Sequence, residues 1–132
     1  NMIPTTTSAS QAIHRVLPDL EGRIDGFAVR VPTPNVSLTD LVATLTSEAT
    51  VEAINRAFST AAKDTLRGIL QVTEDELVSS DFMGDPHSAI VDLPLTAEVD
   101  NQLFRVVAWY DNEWGHASRL ADLVEFVGRT PS

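Results

Sequence analysis

Apolar residues recur along the chain in two periods, and the switches between them outline the elements. Ala9, Ala12, Ile13, Val16 and Leu17 fall three to four positions apart, on one face of a helix. The run Pro4-Thr5-Thr6-Thr7-Ser8 ahead of them supplies hydroxyls that suit a helix N-terminus, and Pro18 stops the helix. Phe27, Val29 and Val31 alternate with Ala28 and Arg30 as in a half-buried strand, which Pro32 and Pro34 interrupt. Another strand opens at Val36 and Leu38, but its apolar phase then moves to Leu41, Ala43 and Leu45. A bulge or strong twist near Asp40 would reconcile the two phases.

Thr50 is placed to cap a second helix, with Glu52 in its first turn and Val51, Ile54, Phe58 and Ala61 as its inward stripe. Residues 69–72 and 90–92 read as short strands. Residues 103–110 form the strongest strand pattern, apolar on both faces apart from Arg105, which predicts a central position covered on both sides. Ala117, Leu120, Ala121, Val124 and Val127 predict a third helix ended by Gly128. The sum is an α+β fold: a mostly antiparallel mixed sheet with three helices layered on it.

The 132 residues suit one domain spanning 1–132, and 43% hydrophobic against 21% charged residues favour a packed core over disorder. A net charge of −10 argues against a nucleic-acid partner or an anionic membrane surface. No apolar run reaches membrane-spanning length and no signal-like segment opens the chain, so a soluble, cytoplasmic domain is expected. With no cysteine, disulfides, thiolate zinc sites and a cysteine nucleophile are excluded within this chain. The charge is uneven: Gly68 to Phe104 contains no Lys or Arg but holds Glu74, Asp75, Glu76, Asp81, Asp85, Asp92, Glu98 and Asp100. This stretch reads as a solvated acidic rim, because Asp81, Asp85 and His87 lack the spacing of a calcium or zinc loop. No metal site is expected.

Three places could carry chemistry. The hydroxyls of Thr6, Thr7 and Ser8 lie where unpaired helix N–H groups favour an anion, although a plain cap has the same pattern. Arg30, between apolar strand neighbours, suits a phosphate or carboxylate; its alternative is an ion pair with a nearby Asp. The run Trp109-Tyr110-Asp111-Asn112-Glu113-Trp114-Gly115 sits at a strand-to-helix junction. It reads either as a core-filling aromatic cluster with Asp111 or Asn112 as cap, or as a ligand wall presenting an amide. His14, His87 and His116 are far apart in sequence, and no nucleophile elbow accompanies Ser79, Ser80, Asp81 and His87.

The pieces Asn1-Met2-Ile3-Pro4-Thr5-Thr6-Thr7, FAVRVPTPNVSLTDL (27–41), RGIL (67–70), VSSDFMGDPHS (78–88) and AWYDNEWG (108–115) together resemble glyceraldehyde-3-phosphate dehydrogenase, in the order found in that family. The resemblance covers nearly the whole chain but only the later part of the family's catalytic domain. It implies an α+β domain that follows a Rossmann domain, in enzymes that are usually homotetramers. It also implies a reaction in which a cysteine thiohemiacetal passes hydride to NAD and inorganic phosphate releases an acyl phosphate. The family cysteine, its histidine partner and the dinucleotide fold would precede Asn1, so the chain is expected to be a fragment without dehydrogenase activity of its own.

Residue by residue, the resemblance assigns Thr7 to phosphate binding at a helix N-terminus and Ser8 to the position of the following family glycine. It assigns Arg30 to clamping phosphate in the substrate pocket. Asn112 takes the place of the asparagine that hydrogen-bonds the nicotinamide carboxamide, with Tyr110 beside it. His116 and Ser118 depart from the aromatic residue and asparagine usual there. The implied substrates are glyceraldehyde 3-phosphate and inorganic phosphate. An erythrose-4-phosphate dehydrogenase shares much of the motif set. A non-catalytic module for anion binding or self-association is the reading from outside the enzyme class.

Overall fold

A computed structural model describes residues 1–100 and 102–129, with the backbone only of Ser10 and Gln11. The chain forms two compact units, Asn1–Pro34 and Asn35–Ser132.

In the first unit, strand β1 (Ile3–Thr5) precedes helix α1 (Ala9–Val16), and strand β2 (Ala28–Arg30) follows. β1 and β2 pair antiparallel, with Ile3 opposite Arg30 and Thr5 opposite Ala28. β1 had no signature in the sequence, since three residues that include Pro4 carry too little alternation to register. The helix ends as its proline requires: the Leu17 N–H closes onto the Ile13 carbonyl, and Pro18 opens a 3-10 turn over Pro18–Leu20. Among the described residues of this unit none is buried.

The second unit contains β3 (Ser37–Thr44), α2 (Val51–Lys63), β4 (Leu70–Thr73), β5 (Ala89–Asp92), β6 (Ala97–Asp100), β7 (Leu103–Tyr110) and α3 (Trp114–Arg129). The sheet order is β3-β7-β5-β4, with β6 also paired to β7. Among the described strands β4 and β5 run parallel, and the β3–β7, β5–β7 and β6–β7 pairings are antiparallel. The apolar pattern of 103–110 therefore has the expected cause. β7 takes β3 along its whole length on one edge, and β5 and β6 share the other.

Each sheet face has its own small core. On one face Leu70, Val91 and Leu93 pack with Val106, Ala108 and the stripe of α2 that includes Phe58 and Ala61. On the other, Val36, Phe82 and Ile90 pack with Leu77 and Trp109. Two expectations are corrected. The ladder from Ser37↔Tyr110 to Thr44↔Leu103 is unbroken, so there is no bulge at Asp40. The apolar phase changes because β3 is an edge strand with apolar residues on both faces: Leu38, Leu41 and Val42 all remain exposed. Asp40 instead accepts from the Arg105 guanidinium across the ladder at 2.9 Å. The register does shift in the β6–β7 hairpin, between Glu98 and Asp100. Gly128 does not end α3 either, because the helix runs through it to Arg129.

Thr50 caps α2 as its sequence requires, its hydroxyl oxygen accepting from the Ala53 N–H at 3.2 Å. Glu52, in the first turn, has its pKa lowered by its own backbone N–H and then by the Thr50 hydroxyl. Thr50→Ala is expected to reduce the unfolding free energy by about 1 kcal/mol. Urea titration followed by far-UV circular dichroism checks this, and an unchanged midpoint would refute the cap's contribution.

Candidate functional site

Buried polar chemistry is concentrated where β7 runs into α3. Asp111 is 2% exposed, yet its carboxylate meets four donors. Oδ1 accepts from the backbone N–H groups of Glu113 and Trp114, each at 2.9 Å. Oδ2 accepts from the Gly84 N–H at 2.8 Å and the Asn35 amide at 2.9 Å. Burial alone would raise the pKa of this group. The bonds from Gly84, Trp114, Glu113 and Asn35 outweigh that and hold it at about 2. Asp111 is thus the cap of α3, and the helix starts three residues before its apolar stripe, at Trp114. One turn later, Gly115 is buried against the loop before β5. A Cβ there would lie 2.9 Å from the His87 carbonyl oxygen, so only glycine fits.

Asn112, the next residue, is exposed, and its Oδ1 accepts from the Ser37 hydroxyl at 3.2 Å. Its amide nitrogen has no hydrogen bond among the described residues. Tyr110 is half-buried at the end of β7, opposite Ser37 in the ladder. The aromatic run does not form one cluster. Trp109 stacks on Phe82 with centroids 5.3 Å apart and donates from its indole to Asp92 at 2.9 Å. Strand alternation puts Tyr110 on the opposite face, and Trp114 is 57% exposed.

The partners that hold this junction, Asn35, Ser37 and Gly84, carry no local signal in the sequence. They lie 27 to 76 positions from the residues they contact. Val36, between two of them, is buried with a φ of 74°. A β-branched residue adopts that left-handed conformation at a cost of about 1–3 kcal/mol.

Thr7, Ser8 and Arg30 all belong to the first unit. Ser8 occupies the N-cap of α1 without a side-chain cap bond. The Thr7 hydroxyl oxygen accepts from the Ala9 N–H at 3.1 Å, so its O–H remains able to donate. Arg30 is exposed at the last pair of the β1–β2 ladder. Among the described residues it makes no ion pair, so the expected alternative of a nearby Asp partner is not found. No hydrogen bond joins Arg30 to Thr7 or Ser8 among the described residues.

The acidic stretch is less uniform than a solvated rim. Asp92 is buried under the Trp109 indole, Asp81 accepts from the Val78 N–H, and Asp85 accepts from the His87 backbone and contacts its ring at 2.7 Å. These carboxylates act as local acceptors for groups that strands and turns leave unpaired. Among the described residues no three His, Asp or Glu side chains gather as metal ligands, and no helix is long and apolar enough to cross a membrane.

The Asp111 pKa has a defined consequence. Because the folded value lies below the ordinary 3.8, the carboxylate stabilises the fold above pH 3.8, and this contribution fades as pH falls toward 2. It amounts to about 2 kcal/mol. Asp111→Asn is expected to lower stability at pH 7 by about 2–4 kcal/mol, since an amide turns a donor toward N–H groups. It should also flatten stability between pH 4 and 2. Urea unfolding across that range checks both; the same acid slope in the variant and the original would refute the assignment.

Comparison with known proteins adds the family. Residues 1–112 match the model of the glyceraldehyde 3-phosphate dehydrogenase C-terminal domain. The chain is 52% identical over 130 residues to glyceraldehyde-3-phosphate dehydrogenase of Mycolicibacterium smegmatis, and 52% identical to that of Mycobacterium avium. It is 46% identical over 127 residues to glyceraldehyde-3-phosphate dehydrogenase 2 of Bacillus subtilis. These alignments cover 96–98% of this chain but only 37–38% of each relative. With its mixed sheet and three helices, the chain belongs to the glyceraldehyde-3-phosphate dehydrogenase C-terminal domain family.

Proposed function

We propose that this chain supplies the phosphate-binding and nicotinamide-recognising residues of a phosphorylating, NAD-dependent glyceraldehyde-3-phosphate dehydrogenase. In the same proposal, 1–132 forms one domain, the later part of a catalytic domain, in a cytoplasmic homotetramer. The observation that carries it is that the fold leaves the implicated groups chemically free. Among the described residues Arg30 has no acidic partner, Thr7 keeps an O–H to donate, and Asn112 keeps its amide nitrogen. The names of the relatives favour glyceraldehyde 3-phosphate over erythrose 4-phosphate as substrate.

Arg30 offers a planar, permanently charged fork to a phosphate, in a geometry that orients the substrate. Thr7 adds a hydroxyl donor, and Ser8 adds a backbone N–H at the positive end of α1. Asn112 fits the nicotinamide end of NAD, because an amide N–H is the donor a carboxamide carbonyl needs. Tyr110 stands beside it on β7. NAD, when bound, supplies the hydride acceptor. None of these five residues is a cysteine or a histidine, so in this reading the thiol and its base come from other residues of the enzyme.

The outer face of α3 supports association with further protein. Leu120, Leu123, Val124, Phe126 and Val127 are 50–74% exposed. The isolated chain is expected to be oligomeric or to aggregate; a monodisperse monomer by light scattering at high concentration would count against this. It is also expected to show no NAD reduction with glyceraldehyde 3-phosphate and phosphate. Fused to the remaining N-terminal part of the Mycolicibacterium smegmatis relative, it should restore phosphate-dependent turnover. Arg30→Ala in that fusion should lower kcat/KM for the aldehyde by about 100-fold. Unchanged kcat/KM in the variant, or turnover by the isolated chain, would sink the proposal.

A further inference from the structure

The anion-binding candidates stand on the part of the chain that has least to hold it together. Thr7 and Ser8 follow β1, and Arg30 ends β2. These two stretches are far apart in sequence. Only the three ladder pairs from Ile3↔Arg30 to Thr5↔Ala28 bring β1 and β2 together. Arg30 can therefore share an anion with Thr7 and Ser8 only while that hairpin is closed.

The hairpin has little support. A two-stranded ladder of three pairs is marginal in water, and so is a helix of eight residues such as α1. A unit as short as Asn1–Pro34 ordinarily needs a disulfide or a metal, and it contains no cysteine. Among its described residues none is buried and no ion pair is formed. The bonds that Thr7 and Asp25 accept, from Ala9 and Gly26, reach at most two positions. Val29 lies opposite Pro4 in the ladder and between Phe27 and Val31, and these three apolar side chains are 44–74% exposed. In the second unit, by contrast, β7 is paired on both edges and buries Phe104 and Val107.

We propose that the closing of the β1–β2 hairpin is coupled to anion binding: by itself Asn1–Pro34 is mostly open, and a phosphate shared by Arg30, Thr7 and Ser8 holds it closed. The inference rests on those three residues being phosphate ligands, and adds what limits their affinity. The charge-assisted bonds of Arg30 and the N–H groups at the start of α1 converge only in the closed form, so phosphate stabilises that form by mass action. The observed affinity is that of the closed form multiplied by the closed fraction. Anything that closes the hairpin thus tightens phosphate binding without touching the anion. The second unit keeps its fold throughout, since local openings need not spread to a better-packed region.

Two measurements test it. In the 132-residue chain without phosphate, the amides of Ala28–Arg30 and of Ile13–Leu17 should exchange with solvent at nearly free-chain rates by NMR, while those of Phe104 and Val107 are protected. Protection in the first set equal to that in β7 overturns the coupling and leaves the assignment of phosphate ligands standing. The second measurement uses Thr5→Cys with Ala28→Cys, which joins directly opposite ladder partners at a spacing that suits a disulfide. Once oxidised, this variant should bind inorganic phosphate about 10-fold more tightly than after reduction, by calorimetric titration at matched ionic strength. Equal affinity in the two states overturns the coupling. Adding Arg30→Ala to the oxidised variant should remove the binding. Tighter binding on oxidation that survives Arg30→Ala overturns the reading of Arg30 as a phosphate clamp while supporting the coupling. An oxidised variant that binds no phosphate overturns both.

Discussion

Asp111 ties together four parts of the chain, two of them distant from it in sequence. Its two oxygens hold the loop at Gly84, the segment at Asn35 and the first turn of α3, while its backbone continues β7. A buried carboxylate is stabilising only when its lone pairs are matched, and here every donor is a fixed backbone N–H or an amide held in the same junction. The position of Asn112 therefore depends on Asp111, since the two share a turn that cannot rotate without breaking several of these bonds. Gly115 extends the constraint by bringing α3 against the His87 backbone more closely than any side chain would allow.

Around this junction the sheet buries few large side chains. β7 is paired on both edges, and the fully buried Ile90 and Val107 lie on the paired strands β5 and β7. Arg119 fastens α3 further along by donating to the Gly68 carbonyl and pairing with Asp122. Beyond that point the helix turns an apolar face outward, and β3 keeps apolar residues exposed on both of its faces. The first unit has no buried described residue at all. Such apolar surface suits contact with further protein.

What was legible locally was what depends on neighbours in sequence. The periodicity of Ile54, Phe58 and Ala61 located α2, and Thr50 its start, because a cap and a stripe are short-range effects. The apolar run of 103–110, broken only by Arg105, implied a central strand, because both faces need cover. The same logic failed at β3, where alternation assumes one wet face and one dry one. It failed at Gly128 too, since a glycine ends a helix only where the chain must turn. Of the candidate site, the motif residues themselves could be named. Their hydrogen-bond states could not: nothing near Arg30 in sequence says that it pairs with no acid among the described residues, and nothing near Asn112 says that Ser37 contacts its amide.

By itself the sequence determined the fold class, the helices and the central strand, and, through motifs spread over nearly the whole chain, the family. It also ruled out a thiol within these residues, which no structure could alter. Only the tertiary structure decided that Ser37 meets the Asn112 amide, why Asp111 remains charged while buried, and why Val36 accepts an unfavourable backbone angle. Each of these depends on a donor or a packing partner brought in from tens of residues away. Contacts at that range are set by strand register and helix docking, which hydrophobic periodicity constrains but does not specify.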